Sequence, residues 1–510
     1  MNSKEIFLYE RKQNKNDDFT IWMAFPGVYS FSMSSLGYLW MFKTLDMLEG
    51  VNIERICSDT EKTAFSIKDV NLFGFSFSFD MDFLTIFSML EKYNIPLKSK
   101  DRTKEPLIFA GGPVVTANPE PYKEFFDFFI IGDGEDVNLT AVDICRKYPD
   151  KEEALQALSE VEGIYVPKYS NKVKKLTKKL SECIYTPILS EDAFFKNTFI
   201  LEMSRGCANR CGFCIASYLN LPLRFVSYDD LIKTIDFGLS YTDKIALLGA
   251  QISAHPHFHD ICAYIYNKIK SGQKIEMSVS SLRVDAITPD VVKTLAATGQ
   301  KNVTLAIEAG SERLRKVINK NLSEEQIFNA VKIAKENGLK GFKFYGMLGL
   351  PTETQEDLNA MIELGKKVKK ENKGFDISFG VSSFVPKPNT PFQWVGRENT
   401  KILEDKANFL KKELHKIGIS SNISSIKWDY WQAVLSRGDE TLNDFVLEVY
   451  KMGGKLGAFK SAAKKLNIDT DFFAIKNYSF DQKLPWDFIE ITPGKDFLIK
   501  EYNRLLENFT

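Results

Sequence analysis

The chain has 510 residues, 44 % of them hydrophobic, which is enough apolar material for roughly two to four domains and excludes disorder as the default. Lys+Arg and Asp+Glu both number 67, so the formal charge is zero and no global electrostatic attraction to nucleic acid or to a membrane surface operates. No apolar run is long enough for a bilayer, the start Met1-Asn2-Ser3-Lys4-Glu5 does not read as a signal, and four of the seven cysteines stand singly, so a cytoplasmic protein with reduced thiols is expected.

Apolar runs at 20–25, 51–57, 71–77, 106–110 and 125–131 read as strands, with amphipathic helical stretches at 36–48 and 83–93. The alternation predicts a doubly wound parallel sheet over residues 1–145. Two turns, Gly111-Gly112-Pro113 and Gly132-Asp133-Gly134-Glu135, follow strands. Ligands of such sheets bind there, although glycine also simply ends strands. Residues 146–195 read as a connector with a helix at 152–161 and a lysine-rich run at 172–179, most simply a solvated face.

From 196 to 394 the β-α rhythm resumes. Strands are predicted at 198–203, 244–248, 274–280, 302–307, 341–348 and 376–384. Helices are predicted at 228–238, 259–271, 289–298, 311–318, 323–337 and 355–370, with Ser227, Thr288 and Ser323 as candidate caps. Such strand–helix units imply right-handed crossovers. The tail, 395–510, opens with a helix at 401–417, carries Trp428, Trp431 and Trp486, and reads as a small, mostly helical cap over the barrel mouth.

Cys207, Cys211 and Cys214 are spaced C-x3-C-x2-C. Thiolates are the usual ligands of iron–sulfur clusters. Three on one loop leave one iron of a four-iron cube without a protein ligand, an open position where a substrate can bind. Zinc is the competing reading, but it wants four ligands in close pairs, and no fourth Cys or His lies near along the loop. His255, His257 and His259 alternate before a helix; a metal-ligand set and a plain loop are both open, the loop being simpler.

The cysteine run resembles the cluster signature of the radical S-adenosylmethionine (SAM) enzymes. Other runs resemble the class with an N-terminal cobalamin-binding-like domain: Phe25-Pro26-Gly27-Val28-Tyr29, Met33-Ser34-Ser35-Leu36-Gly37, the two Gly-rich turns, Ser280-Ser281-Leu282-Arg283-Val284-Asp285, Ile307-Glu308-Ala309-Gly310 and Gly346-Met347-Leu348-Gly349-Leu350-Pro351. Runs beginning at Phe384, Leu435 and Leu484 narrow it to a subfamily without a firm substrate, and the resemblance covers nearly the whole chain. It implies an α/β fold: a doubly wound cobalamin-binding-like domain (1–145), a partial (β/α)6 radical SAM barrel (196–394) and a small helical C-terminal domain (395–510).

The resemblance further implies a [4Fe–4S] cluster on Cys207, Cys211 and Cys214, whose fourth iron is chelated by the SAM amino and carboxylate groups. Reductive cleavage then gives methionine and a 5′-deoxyadenosyl radical, with a flavodoxin or ferredoxin as reducing partner. Phe213 fits the aromatic near the adenine. Backbone near Gly249 would meet the SAM amino group, although the usual Gly-Gly-Glu-type segment is here Leu248-Gly249-Ala250-Gln251. Arg283 would meet the SAM carboxylate and Glu308 the ribose hydroxyls, the competing reading being an ion pair between the two.

One departure bears on cobalamin. Aligned on Gly37, Ser32 and Ser34 stand where the family's D-x-H-x-x-G loop has Asp and the cobalt-ligating His, and no histidine precedes His255. Histidine ligation from this domain is excluded; cobalamin binding without it, with methyl transfer, and loss of the cofactor with the fold retained are both open. Two other functions are weighed. RNA methylthiolation needs three further cysteines in the N-terminal domain, where only Cys57 and Cys145 stand. A non-enzymatic electron-transfer or cluster carrier would leave the SAM-site residues without a role.

Overall fold

The computed structural model describes residues 5–11, 19–104 and 106–506; the first four residues, which bear on a leader, lie outside them. The N-terminal sheet has six strands. Phe19–Phe25, Val51–Cys57, Leu72–Ser76, Leu107–Gly111 and Phe128–Ile130 run parallel, and Ile164–Tyr165 adds an antiparallel edge. The spatial order is second, first, third, fourth, fifth, sixth, the flavodoxin-like doubly wound arrangement, with its switch point between the first and third strands. The strands are near-continuous apolar runs because both faces are covered.

What covers the second face differs from expectation. Ile21 and Met23 pack with Leu39, Phe42, Ala141 and Val142 on one side. Trp22, Phe73 and Phe75 share a core with Trp431, Val434, Phe445, Phe459 and Trp486 on the other. The first helix of the tail, Thr400–Lys416, packs Leu403, Leu410 and Leu414 into the barrel core, whereas the helices that follow are mostly a cover for the N-terminal sheet rather than a cap over the barrel mouth. The tail's last helix alone, Lys495–Leu506, brings Leu505 and Leu506 against Phe392 and Phe213. Polar ties fix the docking: Asp80 accepts from Lys387 at 2.9 Å and Ser436 at 2.9 Å, and Trp486 Nε1 donates to Gln393 Oε1 at 2.7 Å.

The second α/β unit forms an open, partial barrel. Phe199–Glu202, Lys244–Leu248 and Glu276–Val279 make one parallel sheet. Asn302–Glu308, Gly341–Leu348, Asp376–Ser383 and Ser420–Ile423 make the next, and a parallel bridge between Leu282 and Leu305 joins them. The strand Ser420–Ile423 is a seventh, beyond the six predicted. Ser227 and Ser323 cap their helices as expected, Ser323 in a reciprocal box with Gln326. Thr288 instead precedes a proline and makes no side-chain cap bond. No helix among the described residues is long and apolar enough to cross a membrane.

Candidate functional site

The cysteine loop leaves the C-terminal end of the first barrel strand, the end where barrel chemistry sits. Gly206 opens it at φ 88°, and a Cβ there would stand 2.5 Å from the Asn220 carbonyl oxygen. Asn319 pins it, its Nδ2 donating to the carbonyls of Asn209 at 2.7 Å and Arg210 at 3.1 Å. Tyr218 donates to the Arg210 carbonyl at 2.8 Å, and Phe392 N donates to the Gly212 carbonyl at 3.1 Å.

The three thiols gather at this mouth. Cys207 and Cys211 are buried and Cys214 half-buried. Burial pushes the Cys211 thiol up to about 12, with Lys320 opposing and Cys214, Glu308 and Cys207 adding. Among the described residues no three His, Cys, Asp or Glu side chains converge tightly enough for a single metal ion. In a cube each thiolate binds a different iron, so three cysteines on one loop can ligate one cluster. The buried, all-sulfur donor set on a pinned loop fits a [4Fe–4S] cluster.

The four other predicted residues stand around the same mouth. Gln251 Oε1 accepts from Asn209 Nδ2 at 2.6 Å and from the Cys207 thiol at 3.3 Å, which places the turn carrying Gly249 beside the cysteine loop. A Cβ at Gly249 would lie 2.6 Å from Ser204 Oγ, so a larger residue there would have to push that side chain aside. Phe213 packs with Leu314, Phe392 and Leu505. Arg283 follows the third strand and Glu308 ends the fourth. They do not pair with each other. Arg283 forks onto Asp285 at 2.9–3.1 Å, and Glu308 Oε1 lies 3.1 Å from Lys320 Nζ. Burial works against the Arg283 charge, but Asp285 together with Cys211 and Cys207 holds its pKa above the usual value.

The histidine run is the plain loop. His255 Nε2 meets the Val226 carbonyl at 2.9 Å and its Nδ1 accepts from His257 N at 3.1 Å, which uses both ring nitrogens. Sequence reasoning missed Lys320 and Asn319. Their segment, Asn319-Lys320-Asn321, did carry a signal: both asparagines adopt left-handed φ, 60° and 44°, which asparagine tolerates better than most residues.

A second cavity, of about 370 Å³, lies between the N-terminal sheet and the barrel. Gly37, Gly111, Gly112 and Gly134 line it from the N-terminal side, and Glu202, Arg205 and Leu248 from the barrel. It thus joins the carboxyl ends of one sheet to those of the other. Outside its own helix no atom lies within 4 Å of where a Gly37 Cβ would stand, and Glu135, one of the lining residues, carries an Oε2 that is buried without a partner among the described residues.

Residues 40–167 match the N-terminal family of radical SAM proteins, and residues 201–365 match the radical SAM superfamily. An uncharacterized protein of Methanocaldococcus jannaschii is 35 % identical over 382 residues, 72 % of this chain and 80 % of its own length. The chain belongs to the radical SAM superfamily. It is a radical SAM enzyme, of a superfamily that uses a [4Fe–4S] cluster and SAM. A tRNA-2-methylthio-N(6)-dimethylallyladenosine synthase of Clostridium beijerinckii is 26 % identical over 219 residues, 40 % of this chain and 48 % of its own. The structure of the cobalamin-dependent SAM radical enzyme OxsB with aqua-cobalamin matches at TM-score 0.54 and 13 % identity, covering 97 % of this chain and 80 % of that one. The radical SAM methyltransferase TsrM from Kitasatospora setae, with cobalamin and a [4Fe–4S] cluster, matches at TM-score 0.51 and 11 % identity, covering 71 % and 75 %. The radical SAM enzyme described here shares their fold.

Proposed function

We propose that this radical SAM enzyme cleaves SAM reductively at its barrel mouth to a 5′-deoxyadenosyl radical, which acts on a substrate not yet assigned. The observation that carries the reading is the gathering of Cys207, Cys211 and Cys214 with the Gly249 turn, Arg283 and Glu308 at the carboxyl ends of the first four barrel strands. Cys207, Cys211 and Cys214 would hold a [4Fe–4S] cluster, which, once reduced by a flavodoxin- or ferredoxin-type partner, would supply the electron that cleaves SAM. Around it, the Gly249 backbone receives the SAM amino group, Arg283 its carboxylate, Glu308 the ribose hydroxyls and Phe213 the adenine face. The free state of all seven cysteines fits a reducing, cytoplasmic setting.

The interdomain cavity favours a second component, cobalamin, bound without a protein histidine and acting as methyl carrier. Its support is the open space at Gly37, the position of the family's loop glycine, and the route from there to Arg205 beside the cysteine loop. Among the described residues RNA methylthiolation finds no second cluster site, since Cys57 is buried against Ser32 Oγ at 3.2 Å and Cys145 is buried in another part of the core.

The test is anaerobic reconstitution with iron and sulfide, then SAM and dithionite. The expected result is 5′-deoxyadenosine from the wild type and none from the triple Cys207, Cys211, Cys214→Ala variant. A full cluster in that variant overturns the assignment. An absorption spectrum after incubation with hydroxocobalamin decides the second component.

A further inference from the structure

Arg205 stands two residues before Cys207, on the short strand Ser204–Arg205 that pairs with Arg224–Phe225. Its guanidinium meets three carboxylates. Nη1 lies 2.9 Å from Asp133 Oδ1, and Nη2 lies 2.8 Å from Glu135 Oε1 and 2.7 Å from Glu202 Oε2. Nε adds a second bond to Glu202, at 3.1 Å to Oε1. Glu202 ends the first barrel strand, whereas Asp133 and Glu135 belong to the Gly132-Asp133-Gly134-Glu135 turn of the N-terminal domain. Asp133 is also held by Arg224, at 2.6 Å. A single side chain at the root of the cysteine loop therefore grips the turn that lines the interdomain cavity.

The turn carries an unfilled acceptor. Glu135 is 6 % exposed and lines the cavity, with Oε1 on Arg205 and Oε2 buried without a partner among the described residues. A buried carboxylate oxygen left unmatched is costly, and a ligand N–H or O–H donor in the cavity removes that cost. Such a donor also fixes the Glu135 rotamer, and with it the fork of Arg205.

We propose that Glu135 and Arg205 form a positioning link, through which a hydrogen-bond-donating ligand in the interdomain cavity and SAM at the cysteine loop strengthen each other's binding. The proposal rests on the cobalamin reading for the identity of that ligand. Its physical content is linkage: a ligand that orders the Asp133–Glu135 turn also orders the base of the cysteine loop, so the second ligand bears less of the ordering cost. Reciprocity follows, because each ligand must change the affinity of the other by one and the same factor. Arg205 is suited to the task because its planar fork holds several carboxylates in fixed directions, which an ammonium does not.

The experiment is equilibrium dialysis of hydroxocobalamin against the reconstituted protein with its cluster oxidised and no reductant, with and without SAM, and of SAM with and without hydroxocobalamin. In the wild type each is expected to tighten the other by roughly fivefold to tenfold, and equally. Arg205→Lys, with iron and sulfide content as in wild type, is expected to bring that factor close to one. Glu135→Gln, which leaves Arg205 on Asp133 and Glu202, is expected to weaken hydroxocobalamin roughly tenfold in the absence of SAM, and it carries the test if Arg205→Lys fails to fold. Hydroxocobalamin bound equally with and without SAM overturns the link while leaving the cobalamin reading intact. So does full coupling in Arg205→Lys, or unchanged affinity in Glu135→Gln. A wild type that binds no hydroxocobalamin overturns the cobalamin reading and the link together.

Discussion

Glu308 and Lys320 face each other across 3.1 Å at the end of the fourth barrel strand, with only 13 % and 10 % of their side chains exposed. Glu308 reaches that place through a left-handed backbone, φ 64°, where the strand register slips between Ala306 and Glu308. A non-glycine residue there is strained by roughly 1–2 kcal/mol. Strain of this kind persists where the surroundings over-determine a side chain's position, commonly at a ligand.

Glu308→Gln keeps the shape and removes the charge. SAM affinity, measured by calorimetry with the cluster intact and oxidised, is expected to fall roughly tenfold to a hundredfold, the equivalent of about 1.5–3 kcal/mol for a charge-assisted hydrogen bond. Unchanged affinity would make Glu308 a partner of Lys320 alone. Lys320→Met is the companion variant: it strips Glu308 of its cation and is expected to lower the melting temperature as well.

The strands and the cysteine loop are legible in the sequence for specific reasons. Val51–Cys57, Lys244–Leu248 and Gly341–Leu348 stand where the sequence predicts them, because their buried positions are mostly apolar or β-branched and stand out against the polar stretches on either side. The cysteine spacing is local, so the loop was readable as a unit. Ser420–Ile423 was not, since its four residues are polar or half-exposed and owe their strand to pairing with Asp376–Ser383. Nor was the docking of the tail: Trp431 and Phe459 announce a core, but not that Trp22 and Phe73 share it. The grip of Arg205 on Asp133 and Glu135 spans some seventy positions that no local pattern connects.

A pH dependence follows from Asp82, whose Oδ2 accepts from Phe79 N at 2.8 Å and Ser78 N at 3.2 Å. Burial raises its pKa to about 6 despite those bonds, and Asp80 adds to the rise. The folded state then holds the proton more tightly than the unfolded chain does. Its contribution to stability is fullest below the ordinary carboxylate value of 3.8 and is lost as pH rises through about 6. The expected loss is on the order of 1–3 kcal/mol. Melting temperature should therefore fall across that window in wild type, and Asp82→Asn should flatten the slope; an identical slope in both would remove Asp82 as its source.

Two glycines give opposite expectations. A Cβ at Gly310 would stand 2.1 Å from Met361 N, backbone of the helix Gln355–Glu371, so the helix must move. Gly310→Ala is expected to destabilise by roughly 1–3 kcal/mol and to disturb Glu308 two residues away. Gly457 sits in the helix Leu456–Leu466 with nothing within 4 Å of its Cβ position. Gly457→Ala is expected to stabilise by about 0.5–1 kcal/mol through helix propensity. Thermal unfolding of the two variants beside wild type checks both signs.

Gly37 offers a test that separates the proposed cobalamin cavity from the proposed SAM site. It lies in the helix Leu36–Asp46, lines the interdomain cavity, and has no atom outside that helix within 4 Å of where a Cβ would stand. Gly37→Leu therefore fills the cavity without colliding with the backbone, and leucine is the better helix former. The residues proposed for the cluster and for SAM stand elsewhere, since Cys211, Arg283 and Glu308 do not line that cavity. The expected outcome is loss of hydroxocobalamin binding with uncoupled SAM cleavage retained, read as 5′-deoxyadenosine released without substrate. Retained hydroxocobalamin binding would move the corrinoid out of this cavity. Loss of SAM cleavage, with the cluster intact, would instead mean that the cavity wall is part of the SAM site itself, and that Leu248, which borders the cavity one residue before Gly249, is where the two meet.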